Sequence, residues 1–118
     1  MNRPLPWDQL EPLVNAALAL KGKRIEVRSS LSRFREGGSG HNRHSSTALR
    51  FSFEVNHVGV AFSGVRLMLM GAQASFEVGL RGVASFSLET EGTIEIVEHF
   101  EQQTERLTRL IVCSQEKA

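Results

Sequence analysis

Two stretches of this chain carry residues equipped for chemistry. The first is Glu98, which shares strand parity with Ile94, Ile96 and Phe100. A regular strand would therefore turn this carboxylate into an apolar face. A buried carboxylate is costly unless paired, and Arg66 and Arg81 on neighbouring segments are its candidate partners. Held in an open cavity, such a group could do acid–base work, and this is the enzyme reading of the chain. Fraying of the strand end, or a bulge before Glu98, is the simpler expectation.

The second stretch is basic. Arg33, Arg35 and Arg43, with Phe34 interleaved, lie among glycines and serines, and Lys23, Arg24 and Arg28 precede them. Arginines pair with phosphates and an aromatic ring stacks on a base, so these six cations form a candidate anion or nucleic-acid site. Gly37, Gly38 and Gly40 do not have phosphate-loop spacing, since no Lys-Ser or Lys-Thr follows them. A solvated surface loop accounts for the same residues.

Other constellations are incomplete. His41 and His44 supply two zinc ligands where a catalytic site needs three and a closed one four, so no metal or other cofactor is expected. His57 and His99 are assigned to a turn and to the polar face of a strand. Gly38-Ser39-Gly40 is not a nucleophile elbow. Cys113, the single cysteine, follows Leu110-Ile111-Val112 and reads as a small buried apolar side chain.

Composition sets the frame for these residues. At 118 residues, with 41% hydrophobic and 23% charged side chains, the chain reads as a single domain with an ordinary core. No run of about 18 apolar residues is present, so no membrane partner is expected. Met1–Trp7 lacks the apolar stretch of a signal peptide, and a cytoplasmic protein is expected. The net charge of +1 conceals an asymmetry. From Lys21 to Arg50 eight basic residues face two glutamates, whereas from Phe51 onward five face nine. The sequence pI of about 8.0 is low for a dedicated nucleic-acid binder.

The elements that must position these residues follow from periodicity. Asp8 and Glu11 resemble a capping box, with a short turn at Trp7–Glu11 and the helix proper from Pro12. Leu10, Leu13, Val14, Ala17 and Leu18 form an apolar stripe, and Gly22 ends the helix. Ile25 and Val27 alternate with charged residues as a strand. The segment 31–46 has no periodicity and reads as a flexible basic loop. Leu49, Phe51, Phe53 and Val55 then alternate with polar residues, whereas Val58, Val60 and Phe62 are even-numbered. That phase change calls for a hairpin turn near Asn56-His57 or a bulge. Val65–Met70 is apolar on both faces, and Ala72–Leu80, Ala84–Leu88 and Thr93–Phe100 read as further strands, with a hairpin turn at Thr90-Glu91-Gly92. The tail at 101–115 is ambiguous between helix and strand, with β-branched residues favouring strand.

The expected fold is α+β: one N-terminal helix packed on a twisted antiparallel sheet of about six or seven strands, with a partial barrel as its curled form. Phe51, Phe53, Phe62, Met68, Met70, Phe76 and Phe86 would form its apolar face or line a pocket in it. The expected function is a small non-enzymatic binding or interaction protein. It would act as a homodimer through that face, or hold a small apolar ligand there. The alternative is a nucleic-acid or anion binder acting through segment 21–50, and a small enzyme built on Glu98 stands third.

Overall fold

The structure, a computed structural model, describes residues 5–34, 43–61, 65–89, 92–100 and 104–113, with the backbone alone at 33–34 and 43–47. Helix α1 spans Trp7–Leu18 without interruption. Pro6, in an extended conformation, occupies the N-cap position, and no side chain caps the helix. Asp8 thus lies in the first turn, where a carboxylate favours the helix dipole, and does not form the expected capping box. Pro12 sits within the helix and lacks the donor that would reach Asp8. Leu10, Leu13, Val14 and Ala17 are buried, the spacing of one helical face. The amides of Leu20 and Lys21 close the last turn onto Ala17 and Leu18. Gly22, at φ +87°, then turns the chain so that its amide donates to the Val55 carbonyl at 2.7 Å.

Eight antiparallel strands follow among the described residues: β1 (Arg24–Phe34), β2 (Arg43–Glu54), β3 (His57–Ala61), β4 (Arg66–Met70), β5 (Ser75–Gly79), β6 (Val83–Leu88), β7 (Ile94–Phe100) and β8 (Thr104–Val112). They form a five-stranded sheet in the order β2-β1-β8-β7-β6 and a three-stranded sheet in the order β3-β4-β5, where a single sheet of about six or seven strands was expected, and they do not close into a barrel. The tail is strand, as the β-branched residues suggested. The segment expected as a loop is strand at both of its ends, through Phe34 and again from Arg43, with a register shift between Leu31 and Ser32. Residues 35–42, including Arg35 and His41, lie outside the described residues, as does Phe62.

The phase change after Val55 is neither a hairpin nor a bulge. The Val55 amide still bonds to Lys23 beside β1, and the next amide, of Asn56, bonds to Met70 in the other sheet. The chain therefore passes from one sheet to the other at this peptide, and each sheet sets its own inward phase. Gly71 lies at the same corner. A Cβ there would sit 2.6 Å from both the Glu54 carbonyl and the Phe53 ring, so only glycine fits.

The three-stranded sheet crosses the inner face of the larger one. Phe76 on β5 packs against Phe51 of β2, Glu77 is bonded by Arg106 of β8, and Gly79 is bonded by Glu98 of β7. β5 thus runs across the larger sheet from β2 towards β7, after which a 3-10 turn at Leu80–Gly82 leads into β6. The core fills the space between, joining Leu13 and Ala17 of α1 to Ile25, Val27, Leu67, Leu69, Val78, Ile96 and Leu110, all completely buried. Each such Leu, Ile or Val stabilises the fold by about 1.5–3 kcal/mol.

Candidate functional site

Glu98 is fully buried on the inner face of the five-stranded sheet, and β7 continues regularly through it to Phe100. The expected fraying does not occur. The register irregularity lies on the neighbouring strand, between Val83 and Ser85. Neither Arg66 nor Arg81 is its partner. Arg66 pairs with Glu77 at 3.4 Å, and Arg81 is exposed. Arg106, directly opposite Glu98 on β8, donates from Nε to Oε1 at 2.8 Å, and its Nη2 lies 2.8 Å from the same oxygen as an ion pair. Oε2 accepts from the Gly79 amide at 3.0 Å, and the Arg106 Nη2 also donates to the Glu77 carbonyl at 2.8 Å. The guanidinium carbon lies 5.0 Å from the centroid of Phe76.

This geometry gives the ion pair a structural task. Phe76 and Val78 stand opposite Leu69 and Leu67 of β4, while Glu77 and Gly79 turn an amide and a carbonyl away from β4 at the sheet edge. Edge groups of this kind normally meet another strand or water. Here a carboxylate takes the amide and a guanidinium takes the carbonyl, so the pair fastens the edge of the smaller sheet to the inner face of the larger. Both Glu98 oxygens are engaged by protein groups. Nearby, Ser29 and Thr108, also opposite one another and buried, share a hydroxyl–hydroxyl bond at 3.3 Å.

The expected apolar set divides between two surfaces. Phe51 and Phe53 stack at 5.8 Å between centroids, and Phe51 also meets Phe76 at 6.3 Å. Phe53 and Phe76 are buried in the core, and Phe51 and Phe86 pack against it. Met68 and Met70 stand in the opposite phase of β4 from the buried Leu67 and Leu69, and are half-buried on the outer face of the smaller sheet. The six described members of the set therefore do not line one pocket, and Phe62 lies outside the described residues.

The described basic residues of the expected set do not form one cluster, since Arg33 and Arg43 lie at the far end of the β1–β2 pair from Arg24. Arg24 and Arg33 lie nine residues apart on β1, a span of about 30 Å. Arg43 opens β2 opposite Phe34. Arg28 instead meets arginines absent from the expected set: Arg50 and Arg109 are its direct neighbours on β2 and β8. Glu26, one pleat away on the same face, accepts from Nε of both Arg28 (3.1 Å) and Arg50. These bonds, that from Arg28 first, hold the Glu26 carboxyl below the usual carboxylate range. Among the other titratable groups, His99 stands 3.5 Å from Glu105, opposite it across β7 and β8. His57 opens β3 and is exposed, and Cys113 is half-buried where full burial was expected.

A cleft that the sequence did not suggest lies between the end of α1 and the β6–β7 hairpin. It encloses about 380 Å³ and is walled by Ala16, Leu20, Leu88, Ile94 and Val112, with Lys23, Glu89 and Thr93 as its polar groups. Its width comes from small residues: Ala16 on the helix, Ala19 at its C-cap, and Gly92 at the hairpin turn, where φ is +82°. Leu88 is 46% exposed at its side.

No known protein-family model matches the chain, and no curated protein matches it. Among solved structures, the crystal structure of the Bacillus subtilis YojF protein is similar, with a TM-score of 0.67 over 98% of this chain and 97% of that one. The sequence identity is 8%, so the likeness is one of fold.

Proposed function

We propose that this is a small non-enzymatic binding protein that takes an apolar ligand in the cleft between α1 and the β6–β7 hairpin. The observation that carries this reading is the cleft itself, about 380 Å³ with apolar walls and a few polar groups. Those are the size and lining of a small-molecule site. The state of Glu98 supports binding over catalysis, because its two oxygens are committed to Arg106 and Gly79. The test is titration with octanol followed by amide NMR. Shifts confined to residues around Ala16, Leu88 and Val112, abolished by Ala19→Phe, are expected. Unchanged binding in Ala19→Phe would remove the cleft from consideration.

Self-association is the second reading, favoured by Met68 and Met70. Helix α1 contributes Leu10, Leu13, Val14 and Ala17 to the core, whereas the two methionines stand in the opposite phase of β4 from the core residues Leu67 and Leu69. Flexible methionine side chains suit such a contact, and a second copy would bury them. Sedimentation of Met68→Lys against the parent tests this: a parent dimer converted to monomer supports it, and a parent that is monomeric throughout rejects it.

A further inference from the structure

The outer face of the five-stranded sheet carries a second feature, independent of the apolar cleft. Arg50, Arg28 and Arg109 occupy one cross-strand row over β2, β1 and β8, continued on β7 by Glu95. Adjacent strands are separated by about 4.8 Å, so the three arginines span about 10 Å. Like charges directly opposite one another in a sheet are destabilising. Here two such pairs share one residue, Arg28.

The compensation is incomplete and one-sided. Glu26 serves both Arg28 and Arg50, and lies on the side of the row towards the start of β1. Arg109 has its Nε 3.6 Å from Glu95, beyond hydrogen-bond range, and this buried nitrogen has no hydrogen-bond partner. On the opposite side of the row, the next cross-strand positions hold Ala48, Ser30 and Leu107. The small residues on β2 and β1 leave a depression of about 260 Å³ alongside the row. All three arginines and Ser30 line it, and no carboxylate does.

We infer that this depression is an oxyanion site for the phosphate groups of a small phosphorylated molecule, held by Arg50, Arg28 and Arg109 with the Ser30 hydroxyl as a further donor. Guanidinium forks match the tetrahedral oxygens of phosphate and bind them bidentately. The row is long enough for two adjacent phosphates, and the sequence pI of about 8.0 lacks the excess charge of a nucleic-acid surface. A bound phosphate would also relieve the repulsion that the row carries when empty.

The test is amide NMR titration of the full chain with inorganic pyrophosphate, with inorganic phosphate and a single-stranded oligonucleotide in parallel. Shifts centred on Arg28, Ser30 and Leu107, with pyrophosphate favoured over phosphate, are expected. Arg109→Gln and Arg50→Gln should each weaken pyrophosphate binding by at least fivefold, while Arg24→Gln, on the same face but two pleats from Arg28, should change it less than twofold. Thermal melts provide the fold control: each variant gives up repulsion from Arg28 together with one exposed contact, to Glu26 or to Glu95, so the melting temperature should change little. Equal binding by parent, Arg109→Gln and Arg50→Gln would overturn the inference. So would an equal loss in Arg24→Gln, which would indicate diffuse charge attraction. Oligonucleotide binding tighter than pyrophosphate would overturn it in favour of a nucleic-acid surface.

Discussion

Removing Glu98 probes the joint between the two sheets. In Glu98→Ala, Arg106 loses its carboxylate and the Gly79 amide loses its acceptor. Breaking a buried pair from one side costs about 3–5 kcal/mol. Arg106 retains 24% side-chain exposure, so water can reach part of the stranded guanidinium, and the lower end, about 3 kcal/mol, applies. In a domain of this size that lowers the melting temperature by on the order of 10 °C. The more searching variant is Glu98→Met with Arg106→Met. A buried ion pair that only holds itself together is often replaced by apolar residues at no cost. This pair also satisfies the Gly79 amide and the Glu77 carbonyl, and each orphaned backbone group costs about 1–3 kcal/mol. The double variant should therefore remain about 2 kcal/mol less stable than the parent in urea denaturation. A double variant as stable as the parent would refute the edge-fastening role.

Other consequences can be checked separately. Gly71→Ala should destabilise by about 1–3 kcal/mol, because its Cβ would overlap the Glu54 carbonyl and the Phe53 ring. Gly59→Ala, whose nearest neighbour is the His57 ring at 3.4 Å, should cost less in the same denaturation assay. Ser29→Ala together with Thr108→Val should be milder than either change alone, since the double change leaves neither hydroxyl without its partner; a double-mutant cycle reads this. Glu26 has a folded-state pKa below its unfolded value, so its contribution is present above the ordinary carboxylate range and lost as pH falls through the lowered value. Glu26→Gln should then reduce the dependence of stability on pH in that acid window, and carboxyl NMR titration of the parent should show Glu26 titrating below a typical glutamate.

Much of the fold is legible in local pattern. The stripe from Leu10 to Ala17 gives the helix, and Ile94, Ile96 and Glu98 give the inward phase of β7. The division into two sheets is not legible, because the phase change at Val55 and Asn56 has the same sequence appearance as a hairpin. What distinguishes them is a long-range bond from Asn56 to Met70. The partner of Glu98 was within reach. A β7–β8 register that sets Glu98 against Arg106 also sets Glu95 against Arg109 and His99 against Glu105. That charge pattern selects it over registers displaced by one residue, in which Glu98 would meet Leu107 in one direction and Glu105 in the other. The apolar cleft and the arginine row have no such local signal. Ala16 with Leu88, and Arg28 with Arg109, become neighbours only when distant segments meet.

The most direct test of the proposed binding function is the octanol titration, read at the amides of Ala16, Ala19, Leu88, Gly92 and Val112. Saturable shifts at these positions, lost in Ala19→Phe while the fold is retained, are the predicted result. No saturable shift there, or shifts that persist with the cleft filled, would contradict it.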